Sequence, residues 1–134
     1  MTDSHSSDVT DITHCVLGDD QLGIAIADRL HADGTPVAVV NERYESEAVP
    51  STVGELTDRT LLAAAGVDGA ETVIVGTRSD RRNLLLAQLV RSRFDVPRVV
   101  ALVADPDRCD LFADAGHEPF CVTTALSEQV IETV

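Results

Sequence analysis

Apolar residues in this chain fall into short runs, and between the runs they recur every three or four positions. The runs predict strands buried on both faces: Thr13 to Leu17, Val37 to Val40, a brief one at Ser51 to Val53, Glu71 to Val75, Arg98 to Val103 and Pro119 to Val122. The intervening segments predict helices. Leu22, Ile26 and Leu30 form one stripe of a helix over Leu22 to Ala32, ended by Gly34 in the C′ position and by Pro36. Thr57 is placed to cap a helix over Asp58 to Ala65, closed by Gly66. Asp80 opens the longest helix, through Arg93. Asp105 and Pro106 are an N-cap and N1 pair for a helix over Pro106 to Ala115, closed by Gly116, and a last helix covers Ala125 to Val134. Glu45 to Pro50 reads as a loop or short helix. Six strands alternating with six helices imply an α/β fold: a doubly wound, Rossmann-like parallel sheet of order 3-2-1-4-5-6 with right-handed crossovers. One domain spans residues 12 to 134, behind a polar Met1 to Asp11 tail expected to be disordered.

Composition narrows this picture. With 44% apolar but only 3% aromatic residues, the core must be built from Val, Leu, Ile and Ala. No apolar run approaches the roughly 18 residues of a membrane span, and no signal-peptide pattern opens the chain. Cys15, Cys109 and Cys121 are odd in number and lack C-x-x-C spacing, so they read as small buried hydrophobes in a reduced cytosol. His5 and His14 are too isolated to form a metal site. Net charge is −13, and all ten basic residues are arginine. That balance argues against a broad basic surface for nucleic acid, and it resembles the proteins of extreme halophiles.

Candidate chemistry centres on Ile12 to Leu30. An apolar run ends at Gly18, turns, and enters a helix at Gly23, giving the first and third glycines of G-x-G-x-x-G with Asp20 in the middle place. In such a sheet the ligand lies beyond the strand ends where strands one and four part. The residues there are Gly18 to Gly23, Asn41 to Tyr44, Glu55 to Thr57 and Gly76 to Asn83. The helix amino end offers free N–H groups to a phosphate. Gly18 and Gly23 equally suit a tight turn with close helix–strand packing, and Asn83 equally suits holding the Thr77 loop. Arg78, Arg81 and Arg82 read as a solvated or salt-bridged face more readily than as a phosphate clamp. His117 reads as a surface residue, and Asp105 and Asp107 as helix-start acids. The breadth of apolar residues from Asn83 to Val90 suggests burial on a second side, against another subunit. No Ser/His/Asp constellation, metal-ligand spacing or tyrosine–lysine pair is present, and the absence of lysine excludes Schiff-base chemistry.

A series of motifs then resembles one family. Gly54-Glu-Leu-Thr57 before an apolar helix, Gly69-Ala-Glu-Thr-Val-Ile74, Thr77-x-x-Asp80-x-x-Asn83-Leu-Leu, and Val96-Pro-Arg-Val-Val-Ala101 with Asp105-Pro are similar to TrkA-type (RCK, or KTN) amino-terminal regulatory domains of potassium transport. The resemblance covers residues 12 to 134 and rests on the order of the motifs. It implies a cytoplasmic switch rather than an enzyme, one that binds NAD(H), ATP or ADP. It also implies a homodimer or larger ring and a place peripheral to a membrane potassium transporter or channel. A carboxyl-terminal domain usually follows in that family, and this chain ends before one. The implied binding residues are Gly18, Asp20, Gln21, Leu22, Gly23, Asn41, Arg43, Glu55, Leu56, Thr77 and Asn83. The family commonly has glycine and arginine at positions 20 and 21, an acid at 41, Asp at 55 and often Arg at 102, where this chain has Asp20, Gln21, Asn41, Glu55 and Leu102. Asp20 brings a side chain to the place where backbone approaches pyrophosphate. Asn41 hydrogen-bonds a ribose more weakly than an acid does, and Arg43 is the residue that would meet a 2′-phosphate.

Three functions follow as expectations: a nucleotide-responsive regulatory domain, a ligand-poor assembly domain with a degraded site, and the cofactor half of a dehydrogenase, for which a substrate domain is missing. The charge carries its own test. At 1 M salt the screening length is about 3 Å, so dispersed carboxylates scarcely repel one another, whereas in dilute buffer they destabilise the compact state. The melting temperature should therefore rise strongly between dilute and molar KCl; a flat profile would refute the halophile-like reading.

Overall fold

The computed structural model describes residues 12–134, and the Met1 to Asp11 tail lies outside them. Six parallel strands form one sheet in the order β3-β2-β1-β4-β5-β6: β1 His14–Gly18, β2 Val37–Asn41, β3 Ser51–Val53, β4 Thr72–Gly76, β5 Arg98–Val103 and β6 Glu118–Cys121. Five α-helices cross over between and after them: α1 Gln21–Ala32, α2 Arg59–Ala64, α3 Asp80–Phe94, α4 Cys109–Asp114 and α5 Val122–Thr133. β1 runs level with both neighbours, so that Gly18 stands opposite Asn41 on one side and Gly76 on the other. The carboxyl ends of the three central strands thus finish at one height, which is where the two halves of the sheet part.

Alternation within the strands fills both layers. Cys15, Leu17, Val73 and Val75 enter one cluster with Leu62, Leu86, Ala87 and Val90, while Val16 and Val39 enter another with Ala27. A third cluster gathers Ala101, Val103 and Phe112. Of the Leu22–Ile26–Leu30 stripe of α1, Ile26 and Leu30 pack against the second cluster, but Leu22 does not. Gly23 and Ala27 are its buried positions, and Leu22 is 53% exposed. Small residues face the sheet because the helix lies too close to it at Gly23 for anything larger. The breadth of apolar residues in α3 also has a source within this chain: Leu84 packs toward the third cluster and Leu86, Ala87 and Val90 into the first, leaving Leu85 outward.

Four further expectations are corrected. There are five α-helices among the described residues, not six, because 45–50 is a loop. Ser46 Oγ donates to Asp28 (2.6 Å) and accepts from the Ala48 and Val49 N–H groups, which holds the segment without a helical turn. Asp58, not Thr57, caps α2, since its carboxylate reaches both the Thr60 and Leu61 N–H groups. The segment from Pro106 to Ala115 divides into a 3₁₀ turn, Pro106–Arg108, and the shorter α4. Cys109 and Cys121 are not separate small hydrophobes but a disulfide, with Cα atoms 6.2 Å apart. The start of α4 and the end of β6 return to the same edge of the sheet, a proximity invisible at a spacing of 12 residues. Cys15 does behave as a buried hydrophobe; burial, aided by Asp68, pushes its thiol up to about 12.

His117 is the remaining correction. It follows Gly116, which ends its segment at φ +93°, yet it is only 6% exposed and neither ring nitrogen has a hydrogen-bond partner. Burial, and secondarily the Arg91 guanidinium, hold its pKa below the ordinary imidazole value. As pH falls, the unfolded chain takes up this proton before the folded one, so stability present near pH 7 is lost through about pH 6.5 and below. Thermal melts should show that loss in the wild type and a smaller one in His117→Leu; identical pH profiles would refute it.

Candidate functional site

The site is built on one close approach. A Cβ added to Gly18 would lie 3.1 Å from the Gly23 Cα, and one added to Gly23 would lie 3.2 Å from the Gly18 Cα. Only glycine at both places lets the amino end of α1 sit this near β1. The turn between them is closed by Asn41. Its Nδ2 donates to the Asp20 carbonyl (2.9 Å), while its Oδ1 accepts from the Arg43 and Tyr44 N–H groups (2.9 and 3.0 Å). Asn41 is fully buried. It joins the glycine turn to the turn after β2, and both ends of its amide are occupied by the chain itself.

On the other half of the sheet, Thr77, Asp80 and Asn83 play a similar part. Asn83 Oδ1 accepts from the Thr77 N–H (2.9 Å) and hydroxyl (2.6 Å), and its Nδ2 donates to the carbonyls of Thr77 (3.1 Å) and Leu102 (2.8 Å). Asp80 accepts from the Ala104 and Asp105 N–H groups (2.7 and 3.0 Å). The motif thus ties the ends of β4 and β5 to the first turn of α3. Leu102 packs over Gly76, where a Cβ would come within 2.9 Å of its Cδ1.

The remaining residues singled out from the sequence divide by position. Asp20 is the N-cap of α1, its Oδ1 accepting from the Gln21 N–H (2.8 Å). Gln21 and Leu22 are exposed on the first turn, and Arg43 and Glu55 are exposed on their loops. Leu56 is buried, with its N–H donating to Glu42 Oε2 (3.2 Å). Gly18, Asp20, Gly23 and Asn41 meet directly; Thr77 and Asn83 meet each other.

Four charged residues within the segments named from the sequence complete the site, and Arg78 and Arg82 are salt-bridged there as their pattern suggested. Arg82 grips Glu42 through both terminal nitrogens (3.0 and 2.7 Å), which spans the crevice from α3 to the end of β2. That hydrogen bond is the main reason the Glu42 carboxyl is held below its ordinary range. Arg78 lies 3.7 Å from both Asp19 and Asp20, and Arg82 lies 3.8 Å from Asp19. Asp19 is 7% exposed, and its Oδ1 has no hydrogen-bond donor. The only sequence signal for this cluster was opposite charge at the ends of three different strands.

Asn41 generates a test. An aspartate there would lose the donor to the Asp20 carbonyl and leave two buried oxygens facing each other, at a cost of about 1–3 kcal/mol. Asn41→Asp, although it supplies the acid common in the resembling family, should lower the unfolding free energy by that amount in denaturant titrations. An unchanged midpoint would show that the amide donor is not needed.

Comparison with known proteins fits this geometry. Residues 14–123 match the TrkA-N domain family. The Trk system potassium uptake protein TrkA of Mycobacterium tuberculosis is 28% identical over 115 residues, covering 81% of this chain and 52% of that protein; the chain spans about half the length of the TrkA proteins it matches. GsuK, in a structure described as bound to ADP, is 25% identical with a TM-score of 0.70, covering 81% of this chain and 30% of that one. The NAD(P)-binding domain of an exopolyphosphatase-related protein from Archaeoglobus fulgidus shares the fold, with a TM-score of 0.77 at 22% identity over 91% of this chain and 96% of its own. With the family match running from the start of β1 into the start of α5, the chain belongs to the TrkA-N domain family.

Proposed function

We propose that this TrkA-N domain is a nucleotide-binding regulatory domain of a potassium uptake or channel system, a switch rather than a catalyst. The observation that carries the reading is the Gly18–Gly23 approach, which sets the amino end of α1 against the carboxyl ends of β1 and β4, where this fold binds its ligands, in a member of this family. We place Gly18, Asp20, Gln21, Leu22 and Gly23 on the α1 side of the crevice, Asn41, Arg43, Glu55 and Leu56 on its β2 side, and Thr77 and Asn83 on its β4 side. Asp20, Gln21, Leu22, Arg43 and Glu55 are the ones open to a ligand, and the buried Asn41, Leu56, Thr77 and Asn83 lie behind them. Asn41 and Asn83 act by fixing the turns that a ligand meets. NAD(H), ATP or ADP is the ligand class, in keeping with GsuK structures described as bound to ADP and to NAD. Switching requires only that the ligand bind one arrangement of the assembled domains more tightly than another.

The assembly we assign is a homodimer or larger ring, cytoplasmic and peripheral to a membrane potassium transporter or channel. Among the described residues no helix is long and apolar enough to cross a membrane. α5 has no buried residue and exposes Leu126, Val130 and Ile131, which gives it an apolar face for such contacts.

One observation favours a second reading, a ligand-poor assembly domain: the Asp20 carboxylate already occupies the α1 N-terminus. Calorimetric titration of ATP, ADP, NAD(H) and NADP(H) in molar KCl separates the two. Saturable binding of at least one is expected. Binding of none by the wild type, with a gain in Asp20→Gly, would replace the sensor with the assembly domain.

A further inference from the structure

Three carboxylates and two guanidiniums meet at the strand ends, with Asp20 accepting from the first N–H of α1 and Glu42 hydrogen-bonded to Arg82. A helix N-terminus and free arginines together make a phosphate seat. Here the Gln21 N–H donates to Asp20 and Arg82 donates to Glu42, while Asp19 and Asp20 stand within 3.8 Å of Arg78 or Arg82 as neighbouring charges. The next charges outward do not redress the balance. Glu55 acts on Arg82, and Arg43 acts on Glu42. Four carboxylates thus stand against three guanidiniums, on a chain whose net charge is −13. Asp19 sharpens the imbalance, being 7% exposed with one oxygen lacking any donor. A group that donates a hydrogen bond is suited to it; a second anion is not.

We propose that, within the nucleotide class above, this crevice prefers the ligand of lower negative charge, and that Asp19, Asp20 and Glu42 impose the preference as carboxylates standing where added phosphates would lie. The proposal rests on the nucleotide-binding reading above. A phosphate reaches Arg82 only by displacing Glu42, and one that reaches the exposed Arg78 sits beside Asp19 and Asp20; in both cases carboxylates stand next to it as like charges. At about 4 Å in water-exposed surroundings this amounts to about fivefold in affinity for each added charge, and more where burial lowers the screening. Because the effect is electrostatic, it weakens as salt rises.

The test is calorimetric titration of the full chain with adenosine, AMP, ADP and ATP, without divalent metal, at physiological and at molar KCl. Asp19→Asn and Asp20→Asn accompany the wild type, since asparagine keeps the size and, at position 20, the capping ability of aspartate. In the wild type, affinity should fall by about fivefold per step from AMP to ADP to ATP. The spread should narrow at molar salt and flatten or invert in Asp20→Asn. ATP binding tightest in the wild type, a flat series, or a spread unmoved by both substitutions and by salt would overturn the proposal, the last because it marks a steric rather than an electrostatic barrier. If adenosine binds and the series is flat, the charge selection falls while the nucleotide reading stands. If nothing binds the wild type or either variant, the nucleotide reading falls and takes the inference with it.

Discussion

The contact between the backbones of Gly18 and Gly23 is the constraint on which the rest of the structure depends. It sets the distance of α1 from the sheet, and so requires small residues, Gly23 and Ala27, on the helix face that packs there. It sets the height of the turn that Asn41 closes, and the Asn41 amide then fixes the turn after β2 as well. Because Gly18 stands level with Asn41 and Gly76, all three strand ends open onto one crevice. A methyl group at either glycine would push α1 off the sheet and separate these turns together.

The two halves of the crevice are organised by different chemistry. Buried, neutral side-chain amides hold each half rigid: Asn41 on the β2 side, Asn83 on the β4 side, each with both ends of the amide occupied. Between the halves the connection is ionic and more exposed, with Arg82 reaching Glu42 across the gap and Arg78 facing Asp19 and Asp20. Neutral hydrogen bonds in a dry interior are costly to break one at a time, whereas partly solvated ion pairs exchange partners readily and respond to salt. The fixed frame is thus of the first kind, and the bridge across it is of the second.

The site residues named from the sequence are of two kinds. Gly18, Gly23, Thr77 and Asn83 were legible because each belongs to a spaced motif whose geometry is local: a strand, a turn and the first turn of a helix. Arg78 and Arg82 were legible as a salt-bridged face, but their partners Asp19 and Glu42 were not, because an ion pair across the crevice joins Glu42 to a residue 40 positions away and leaves no periodicity behind. Asn41 was visible as a position but not as a role. What the sequence presents as a weakened ribose ligand is a donor that the Asp20 carbonyl requires.

The sequence by itself determined the sheet and its strand order. Continuous apolar runs alternating with helical stripes leave few topologies once crossovers are right-handed, and the observed order is the expected one. It also determined most helix ends, since glycine and capping residues act within a turn of where they stand. Only the tertiary structure decided that 45–50 is a loop, that Cys109 meets Cys121, that His117 is buried, and which charges face one another over the crevice. Each of these depends on distances between segments remote in the chain, and apolar periodicity carries information about which face of an element is buried, not about what it is buried against.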